Sequence, residues 1–386
     1  MISRYSLLCS LSLAVSISAA SPQSVAQTDR WPAQKANEWY KQQPWLVGAD
    51  YIPSNAINEL EMFQAATFDP AINDKELGMA ESIGMNTVRV FLQDQLWQQD
   101  AAGFKQRLDT FLGIAAKHHI KPLVVLFDSC WEPDPKLGPQ HPPIPGVHNS
   151  GWVQSPGKAR LRDPAVEPQL EAYVTGIVGA FAKDDRILGW DIWNEPDNRG
   201  RDRIEDVATK VQRVDELLPK AFAWARSVKP TQPLTSGVWI GNWSDPNLES
   251  ATTKIQLDES DVITFHNYGW PEDFEARIKQ LQVLGRPIIC TEYMARGAGS
   301  TFDGVLPVAK QYHVGAINWG LVAGKTQTYY PWDSWERPYV EMQPTIWFHE
   351  VFRQDDTPYR QREVDLIRQL TGRGDQRVFI PMVQGN

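Results

Sequence analysis

Eight short apolar runs, separated by stretches with helical periodicity, recur along this 386-residue chain. Most of the runs are continuously apolar and do not alternate, which is typical of parallel strands that are buried on both faces. The eight predicted strands are Trp45–Tyr51, Asn86–Leu92, Pro122–Asp128, Ile187–Asn194, Pro233–Ile240, Val262–Tyr268, Pro287–Tyr293 and Ala316–Leu321. Eight strand–helix units in one chain predict an α/β fold, a single-domain (β/α)8 barrel, since such barrels commonly reach about 250 residues or more.

An open, doubly wound sheet is the competing fold. It is disfavoured because no glycine-rich phosphate loop follows the first predicted strand. Two long insertions, Ser129–Pro164 and Ala323–Pro344, follow the third and the eighth predicted strands. The segments after the strands form the catalytic face of a (β/α)8 barrel, so we expect both insertions to shape a cleft there.

Residues 1–26 have the pattern of an export signal. Arg4 supplies a positive charge, and the apolar segment Leu7–Ile17 is too short to cross a bilayer as a retained helix. Small residues at positions 24–26 predict cleavage after Ala26, with cleavage after Ala20 as the alternative. We therefore expect a secreted or periplasmic protein without a membrane span, whose catalytic barrel occupies residues 27–386.

Charge and cysteine content limit the partners of this chain. The formal net charge of −9 argues against a nucleic-acid partner, since phosphate binding needs a basic face. Cys130 and Cys290 belong to strand regions that are not neighbours, so we expect free thiols; a disulfide is the alternative in an exported protein. No cluster of cysteine and histidine has metal-ligand spacing. We expect neither a metal nor an organic cofactor, and we expect a monomer.

Two glutamates, Glu195 and Glu292, stand at the ends of the fourth and seventh predicted strands. A single glutamate in such a place is more often an ion-pair partner than a catalyst, and burial of a carboxylate is costly unless it has a partner or a task. The two strands lie nearly opposite each other in an eight-stranded barrel, so both carboxylates should face each other across its mouth. Paired carboxylates across a cleft are what glycosidic cleavage requires.

Five motifs occur in order at the ends of predicted strands. They are Asn86-Thr87-Val88-Arg89-Val90, Trp193-Asn194-Glu195-Pro196, His266-Asn267-Tyr268, Thr291-Glu292 and Asn318-Trp319-Gly320. In these motifs, and over most of the mature chain, the sequence resembles the glycoside hydrolases of clan A, and within the clan family 5, the cellulase and mannanase family. The resemblance implies a retaining β-glycosidase in which Glu195 is the general acid/base and Glu292 is the nucleophile.

The resemblance also implies roles for the residues around the two carboxylates. Arg89 is similar to the arginine that holds the charge of the nucleophile, and Asn194 to the residue that bonds the 2-hydroxyl of the reacting sugar. His266 and Tyr268 resemble the pair that lines the reacting subsite, with Tyr268 bonded to the nucleophile. Trp319 resembles the platform beneath that sugar, and the resemblance implies a non-proline cis peptide bond after it.

The residues themselves support these roles. An arginine inside a buried strand is costly unless a carboxylate pairs with it, and Glu292 would be that partner for Arg89. The arginine should then lower the pKa of Glu292. Trp193 and Pro196 flank Glu195, and apolar neighbours favour the protonated form of a carboxyl group.

One stretch departs from the family pattern. Many members of family 5 carry a histidine at the end of strand three, where this chain reads Phe127-Asp128-Ser129-Cys130-Trp131. Either Asp128 takes that place or the local geometry differs. The chain has sixteen tryptophans, and we expect Trp131 and Trp270 to form sugar subsites in the loops after the strands.

These features predict a hydrolase of β-linked glycans that acts by double displacement through a covalent glycosyl–enzyme. The resemblance implies a β-1,4-linked mannan, glucan or xylan fragment as the substrate. A non-catalytic sugar-binding barrel is one alternative, although this chain keeps both carboxylates and Asn194. A transglycosylase that uses the same residues is the other. The two long insertions favour exo action or short substrates, because they can wall off one end of the cleft.

Overall fold

The structure, a computed structural model, describes residues 30–247 and 249–373. The predicted export signal and its cleavage site lie outside the described residues. Each of the eight predicted strand regions contains a strand. They are β1 (Val47–Asp50), β2 (Thr87–Phe91), β3 (Lys121–Asp128), β4 (Gly189–Asn194), β5 (Leu234–Thr235), β6 (Ile263–His266), β7 (Ile288–Glu292) and β8 (Gly315–Trp319).

Helices alternate with the strands. They are α1 (Ala33–Lys41), α2 (Glu59–Phe63), α3 (Pro70–Ser82), α4 (Asp94–Lys117), α5 (Lys158–Arg162), α6 (Glu167–Ala180), α7 (Ile204–Ser227), α8 (Ala251–Glu259), α9 (Pro271–Gln282), α10 (Phe302–Gln311) and α11 (Gln361–Thr371). Their apolar faces pack on the outside of the sheet; Phe104, Leu108, Phe111, Leu112 and Ala115 of α4, for example, are all buried. This alternation of strands and covering helices is what the hydrophobic patterns predicted.

All paired strands are parallel, in the order β5-β4-β3-β2-β1-β8-β7-β6. A parallel bridge between Val238 and Phe265 joins the segment after β5 to β6, so the sheet closes on itself. The predicted single-domain (β/α)8 barrel is therefore confirmed. An open doubly wound sheet, which would have two free edges, is excluded.

The fifth strand is much shorter than predicted. Side chains take the place of strand partners after Thr235: Oγ of Ser260 accepts from the backbone of Ser236, and Nε2 of Gln256 donates to the carbonyl of Gly237. The apolar pattern of Pro233–Ile240 could not reveal this, because burial is the same whether a ladder or a side chain satisfies the backbone.

Only one end of the barrel is open to a ligand. At the amino ends of the strands, Leu46, Leu123, Leu188 and Ile289 form an apolar plug, and Trp31 with helix α1 covers it. At the opposite end, long segments follow β3 and β8, as predicted for the two insertions. Within residues 30–247 and 249–373, no helix combines the length and the apolar character that a membrane crossing requires.

Candidate active site

The carboxyl ends of the strands surround a cavity of about 340 Å³. Six of the ten site residues expected from the sequence line it: Trp131, Asn194, Glu195, Tyr268, Glu292 and Trp319. Arg89 and His266 lie beneath its floor, buried and bonded to the carboxylates. Asp128 and Trp270 do not line the cavity. The structure thus brings together eight of the ten residues.

Arg89 is the centre of a buried network of carboxylates. Its Nη1 donates to Oε1 of Glu292 and to Oδ1 of Asp50, each at 2.9 Å, while Nε and Nη2 donate to Oδ2 of Asp191 at 3.0 and 2.9 Å. Nη2 also donates to Oδ1 of Asn194 at 2.6 Å. Every donor nitrogen of the guanidinium therefore has a carboxylate or amide acceptor, which fixes its orientation. The predicted proximity of Arg89 to Glu292 is confirmed.

Sequence reasoning missed Asp50 and Asp191, although both are acids inside apolar strands. Burial opposes the charge on Arg89, but the carboxylates of Asp191, Asp50 and Glu292 outweigh it and raise the pKa of the guanidinium. Burial raises the pKa of Asp50 well above its usual range, although Arg89 counteracts this. A fixed cation thus stands among three buried carboxyl groups, those of Asp50, Asp191 and Glu292.

Glu195 follows β4 in a left-handed conformation, with φ of 41°. Its Oε1 lies 2.7 Å from Nδ1 of His266. Its Oε2 accepts from Nδ2 of Asn198 at 2.5 Å and from Sγ of Cys130 at 3.3 Å. Burial raises the pKa of Glu195 to about 7, although the bonds from Asn198 and Cys130 lower it. At neutral pH this carboxyl group can therefore either give or take a proton.

Glu292 has a different set of partners. Arg89 donates to Oε1, and the hydroxyl of Tyr268 donates to Oε2 at 2.8 Å. Burial raises the pKa of Glu292, while His266 and Arg89 oppose the shift. The expectation that Arg89 would lower this pKa overall was wrong, because desolvation and the neighbouring Glu195 outweigh the cation. Full ion pairing still distinguishes Glu292 from Glu195, which has no direct contact with a permanent cation among the described residues.

His266 bridges the two carboxyl groups. Its Nδ1 lies 2.7 Å from Glu195 and 3.6 Å from Oε2 of Glu292. One atom from each of these three side chains lies within 4.8 Å of the others. Burial lowers the pKa of His266 to about 4, so the ring is neutral near pH 7. The carboxyl groups are thus close together, and one neutral ring is bonded to Glu195 and lies beside Glu292.

Three such side chains could also hold a metal ion. However, Glu292 already accepts from Arg89 and Tyr268, and Glu195 accepts from Asn198. The guanidinium, 2.9 Å from Glu292, would repel a second cation. This arrangement suits proton transfer better than metal ligation.

Asp128 does not take the place of the histidine that is usual after strand three. Its carboxylate is buried and accepts from Nε1 of Trp152 at 2.5 Å and from Nδ2 of Asn194 at 2.9 Å, so it orients Asn194 from below. Cys130 reaches the cavity instead, in contact with Glu195. Cys130 and Cys290 are both free thiols, as expected, whereas the place of Cys130 in the cavity was not predicted.

The predicted tryptophan subsites have different outcomes. Trp131 lines the cavity and stacks on Trp335 at 5.4 Å, whereas Trp270 is 66% exposed outside it, before helix α9. Trp319 lines the cavity too. The cis peptide bond expected after Trp319 is absent; within the described part of the chain only Ser155-Pro156 is cis. Gly320, with φ of 80°, turns the chain with a trans peptide instead.

Eight further residues line the cavity and were not among the ten expected site residues: Cys130, His148, Asn149, Asn198, Gly200, Trp239, Trp332 and His349. They lie in the segments that follow the strands, where hydrophobic periodicity carries no information on which side chains turn inward. Asn198 had one available signal, because it follows Glu195 by three residues in the same turn.

Comparison with known proteins agrees with this geometry. The family model for cellulase (glycosyl hydrolase family 5) matches residues 55–325. Among curated protein sequences, none is similar enough to this chain to identify a relative.

Solved structures share the fold at low sequence identity. An exo-β-1,4-mannosidase from Opitutaceae bacterium strain TAV5 is 18% identical with a TM-score of 0.57, over 85% of this chain and 60% of that one. An endo-β-1,4-mannanase from Thermotoga petrophila is 14% identical with a TM-score of 0.54, over 86% and 77%. This chain thus spans less than two thirds of the mannosidase. Since the family model covers most of the chain and both carboxylates, the protein belongs to the cellulase family of glycosidases, glycosyl hydrolase family 5.

Proposed function

We propose that this protein hydrolyses a β-linked glycan with retention of anomeric configuration. The observation that carries the proposal is the short distance between the carboxyl groups of Glu195 and Glu292, which have oxygens within 4.8 Å of each other. Retaining glycosidases place the two groups about 5–5.5 Å apart, whereas inverting ones need about 6.5–9.5 Å to admit a water molecule. The short distance favours direct attack by one of the carboxylates.

Glu292 is the nucleophile in this proposal. Arg89 and Tyr268 hold its two oxygens, so the carboxylate keeps one orientation and a charge that can attack the anomeric carbon. Attack gives a covalent glycosyl–enzyme, and the bond to the leaving oxygen breaks. Asn194, held by Arg89 and Asp128, is placed to bond the 2-hydroxyl of the reacting sugar.

Glu195 is the general acid/base. With its pKa raised to about 7 by burial, a large fraction of the enzyme carries the proton that the leaving oxygen needs. After that proton is transferred, the carboxylate of Glu195 takes a proton from water, and the water attacks the intermediate. Because Glu292 leaves as a carboxylate, the second step restores the enzyme.

The substrate proposed is a β-1,4-linked oligosaccharide of the mannan, glucan or xylan type. The motifs of the family carry this proposal, and the similar structures include a β-1,4-mannosidase and a β-1,4-mannanase. We propose further that the protein is exported through cleavage after Ala26, and that residues 27–386 act as a monomeric catalytic barrel.

Proton NMR of the first product tests the mechanism. An aryl β-glycoside or a β-1,4-oligosaccharide is mixed with the enzyme, and the anomeric signals are followed before mutarotation. Retention predicts that the β-anomer forms first and the α-anomer grows later. An α-anomer that forms first would overturn the proposal. If most of the product were a longer oligosaccharide, water would not be the main acceptor, and the protein would be a transglycosylase.

A further inference from the structure

The loops after β3 and β8 are bonded to each other over the barrel mouth. We call residues 129–157 the β3 loop and residues 320–360 the β8 loop. The backbone N–H of Asn149 donates to the carbonyl of Thr326 at 2.8 Å. The backbone N–H of Tyr339 donates to the carbonyl of Gly146 at 2.9 Å. Nε2 of Gln327 donates to the carbonyl of Ile144 at 2.8 Å. Since β1 and β2 lie between β8 and β3 in the barrel, the joined loops arch over these two strands.

The ends of β1 and β2 are closed off beneath this arch. Trp152 of the β3 loop is buried and packs edge-on against Phe91 at 4.9 Å and against Trp319 at 5.7 Å. Asp50 and Phe91 line a separate space of only about 20 Å³ below these rings. A sugar chain therefore cannot continue from the main cavity over β1 and β2.

The opposite side of the cavity is open. Asn198 and Trp239, from the segments after β4 and β5, form that wall and are partly exposed, and Ile240 beside them is 52% exposed. Glu195 follows β4 on the same side. Because a proton donor must stand beside the leaving oxygen, the leaving part of the substrate exits toward Trp239, and the reacting sugar lies in the closed part.

Two histidines stand in the closed part of the cavity. Nδ1 of His148 lies 2.8 Å from the carbonyl oxygen of Tyr330, and Nδ1 of His349 lies 2.5 Å from that of Met294. A carbonyl oxygen can only accept, so each Nδ1 carries the hydrogen. Burial lowers the pKa of His148 to about 4, and it lowers the pKa of His349 well below the ordinary value of a histidine. Both rings are therefore neutral, and the Nε2 of each, which carries no hydrogen, can act only as an acceptor.

We infer that the enzyme removes single sugars from the non-reducing end of its substrate, and that His148 and His349 accept hydrogen bonds from the free hydroxyls of that terminal sugar. The inference rests on the proposed function. In a β-1,4-linked chain only the terminal residue has a free 4-hydroxyl, since every internal residue has a glycosidic bond there. Acceptors at the closed end of the cavity distinguish a terminal sugar from an internal one. An internal sugar has no 4-hydroxyl hydrogen to donate, and the chain attached to its O4 would clash with the closed wall.

End-capped oligosaccharides test this directly. Two β-1,4-linked pentasaccharides of the same sugar are compared, one with a free terminal 4-hydroxyl and one with that oxygen methylated. We expect the free substrate to release monosaccharide and tetrasaccharide first. The capped one should react at least about fivefold more slowly, since an unpaired buried acceptor costs about 1–3 kcal/mol, which is about 5-fold to 160-fold in rate. Equal rates, or trisaccharide and disaccharide as the first products, would overturn the inference.

Variants connect this behaviour to the histidines. His349→Ala should raise KM for the uncapped pentasaccharide and reduce the ratio of its rate to that of the capped one. His349→Gln, which keeps an acceptor, should restore part of that ratio. His119→Ala, a change at an exposed histidine, is the matched control. If the preference for the free end survives in a folded His349→Ala enzyme, His349 is not the acceptor. If neither pentasaccharide nor any aryl glycoside is cleaved, the proposed function itself fails; internal cleavage refutes only end recognition.

Discussion

Nη1 of Arg89 lies 2.9 Å from Oε1 of Glu292, and both side chains are buried. The same guanidinium also pairs with Asp50 and Asp191, so a single cation pairs with three carboxyl groups. Removal of one partner from a buried ion pair is much more costly than its creation is favourable, because the charges that remain have no solvent.

Arg89→Met should therefore lower the free energy of unfolding by about 3–5 kcal/mol at pH 7. The loss should shrink in acid, where the carboxyl groups are protonated and no longer need the cation. Denaturant unfolding at pH 7 and pH 4 measures both values. Arg89→Lys keeps the charge but cannot bond four acceptors. Its free energy of unfolding at pH 7 should therefore lie between those of the wild type and Arg89→Met. An Arg89→Met protein as stable as the wild type at pH 7 would contradict this account of the network.

The raised pKa of Glu195 predicts the pH at which kcat/KM falls on the alkaline side of its pH profile. The acid form is required, so kcat/KM should fall as pH rises through about 7. Asn198 donates to the ionised form, so Asn198→Ala should raise the pKa and move the limb to higher pH. Asn242→Ala, at an exposed position, serves as the control. A limb that stays in place, or moves to lower pH, would show that Asn198 does not stabilise the charged form.

Cys130 is a thiol in the cavity that an alkylating reagent can modify. Its thiol lies 3.3 Å from Glu195, and burial raises its pKa well above the usual value. The thiolate is the reactive form, so iodoacetamide should inactivate the enzyme slowly near pH 7 and faster as pH rises. Cys130→Ser should resist the reagent, whereas Cys290→Ser should behave like the wild type. Equal inactivation of the wild type and Cys130→Ser, measured as loss of aryl-glycoside hydrolysis, would place the modified group elsewhere.

Glu350 should make stability depend on pH. It is 1% exposed, and burial raises its pKa from the ordinary value of 4.5 to about 8. Between these values the native state holds a proton that the unfolded chain has lost, so the free energy of unfolding falls as pH rises, by up to about 1.4 kcal/mol per pH unit. Glu350→Gln, which stays neutral, should lose less stability than the wild type between pH 5 and pH 8.

Denaturant unfolding at both pH values measures the two slopes. Glu341→Gln, at an exposed position, should keep the slope of the wild type. A Glu350→Gln protein with the unchanged slope would mean that Glu350 is already ionised in the fold.

The strands and the opposed carboxylates could be predicted from the sequence for one physical reason. Parallel strands buried on both faces must be apolar throughout, so a charged residue inside or at the end of one, such as Arg89 or Glu292, stands out. The same signal marked Asp50 and Asp191, but only the folded barrel shows that they meet Arg89.

Loop contributions could not be predicted in this way. Trp270 and Trp131 both follow strands, yet Trp270 precedes a helix that directs it to solvent, and Trp131 is held inward by Trp335. The bonds between the β3 loop and the β8 loop join residues about 180 positions apart, and they depend on backbone conformations that composition does not encode. The closed end of the cavity therefore depends on the folded loops, and the sequence alone does not reveal it.

Azide rescue tests the assignment of Glu292 as nucleophile and Glu195 as acid/base most directly. Glu195→Ala and Glu292→Ala are assayed on one dinitrophenyl β-glycoside with and without azide. The leaving group needs no proton, so Glu195→Ala should form the covalent intermediate and accumulate it, because no base activates water. General acid–base assistance is usually worth about 10²–10⁴-fold, and azide, which needs no base, should recover much of it and give a β-glycosyl azide. Glu292→Ala should give an α-glycosyl azide, if any. Failure of Glu195→Ala to form the β-product would contradict the account.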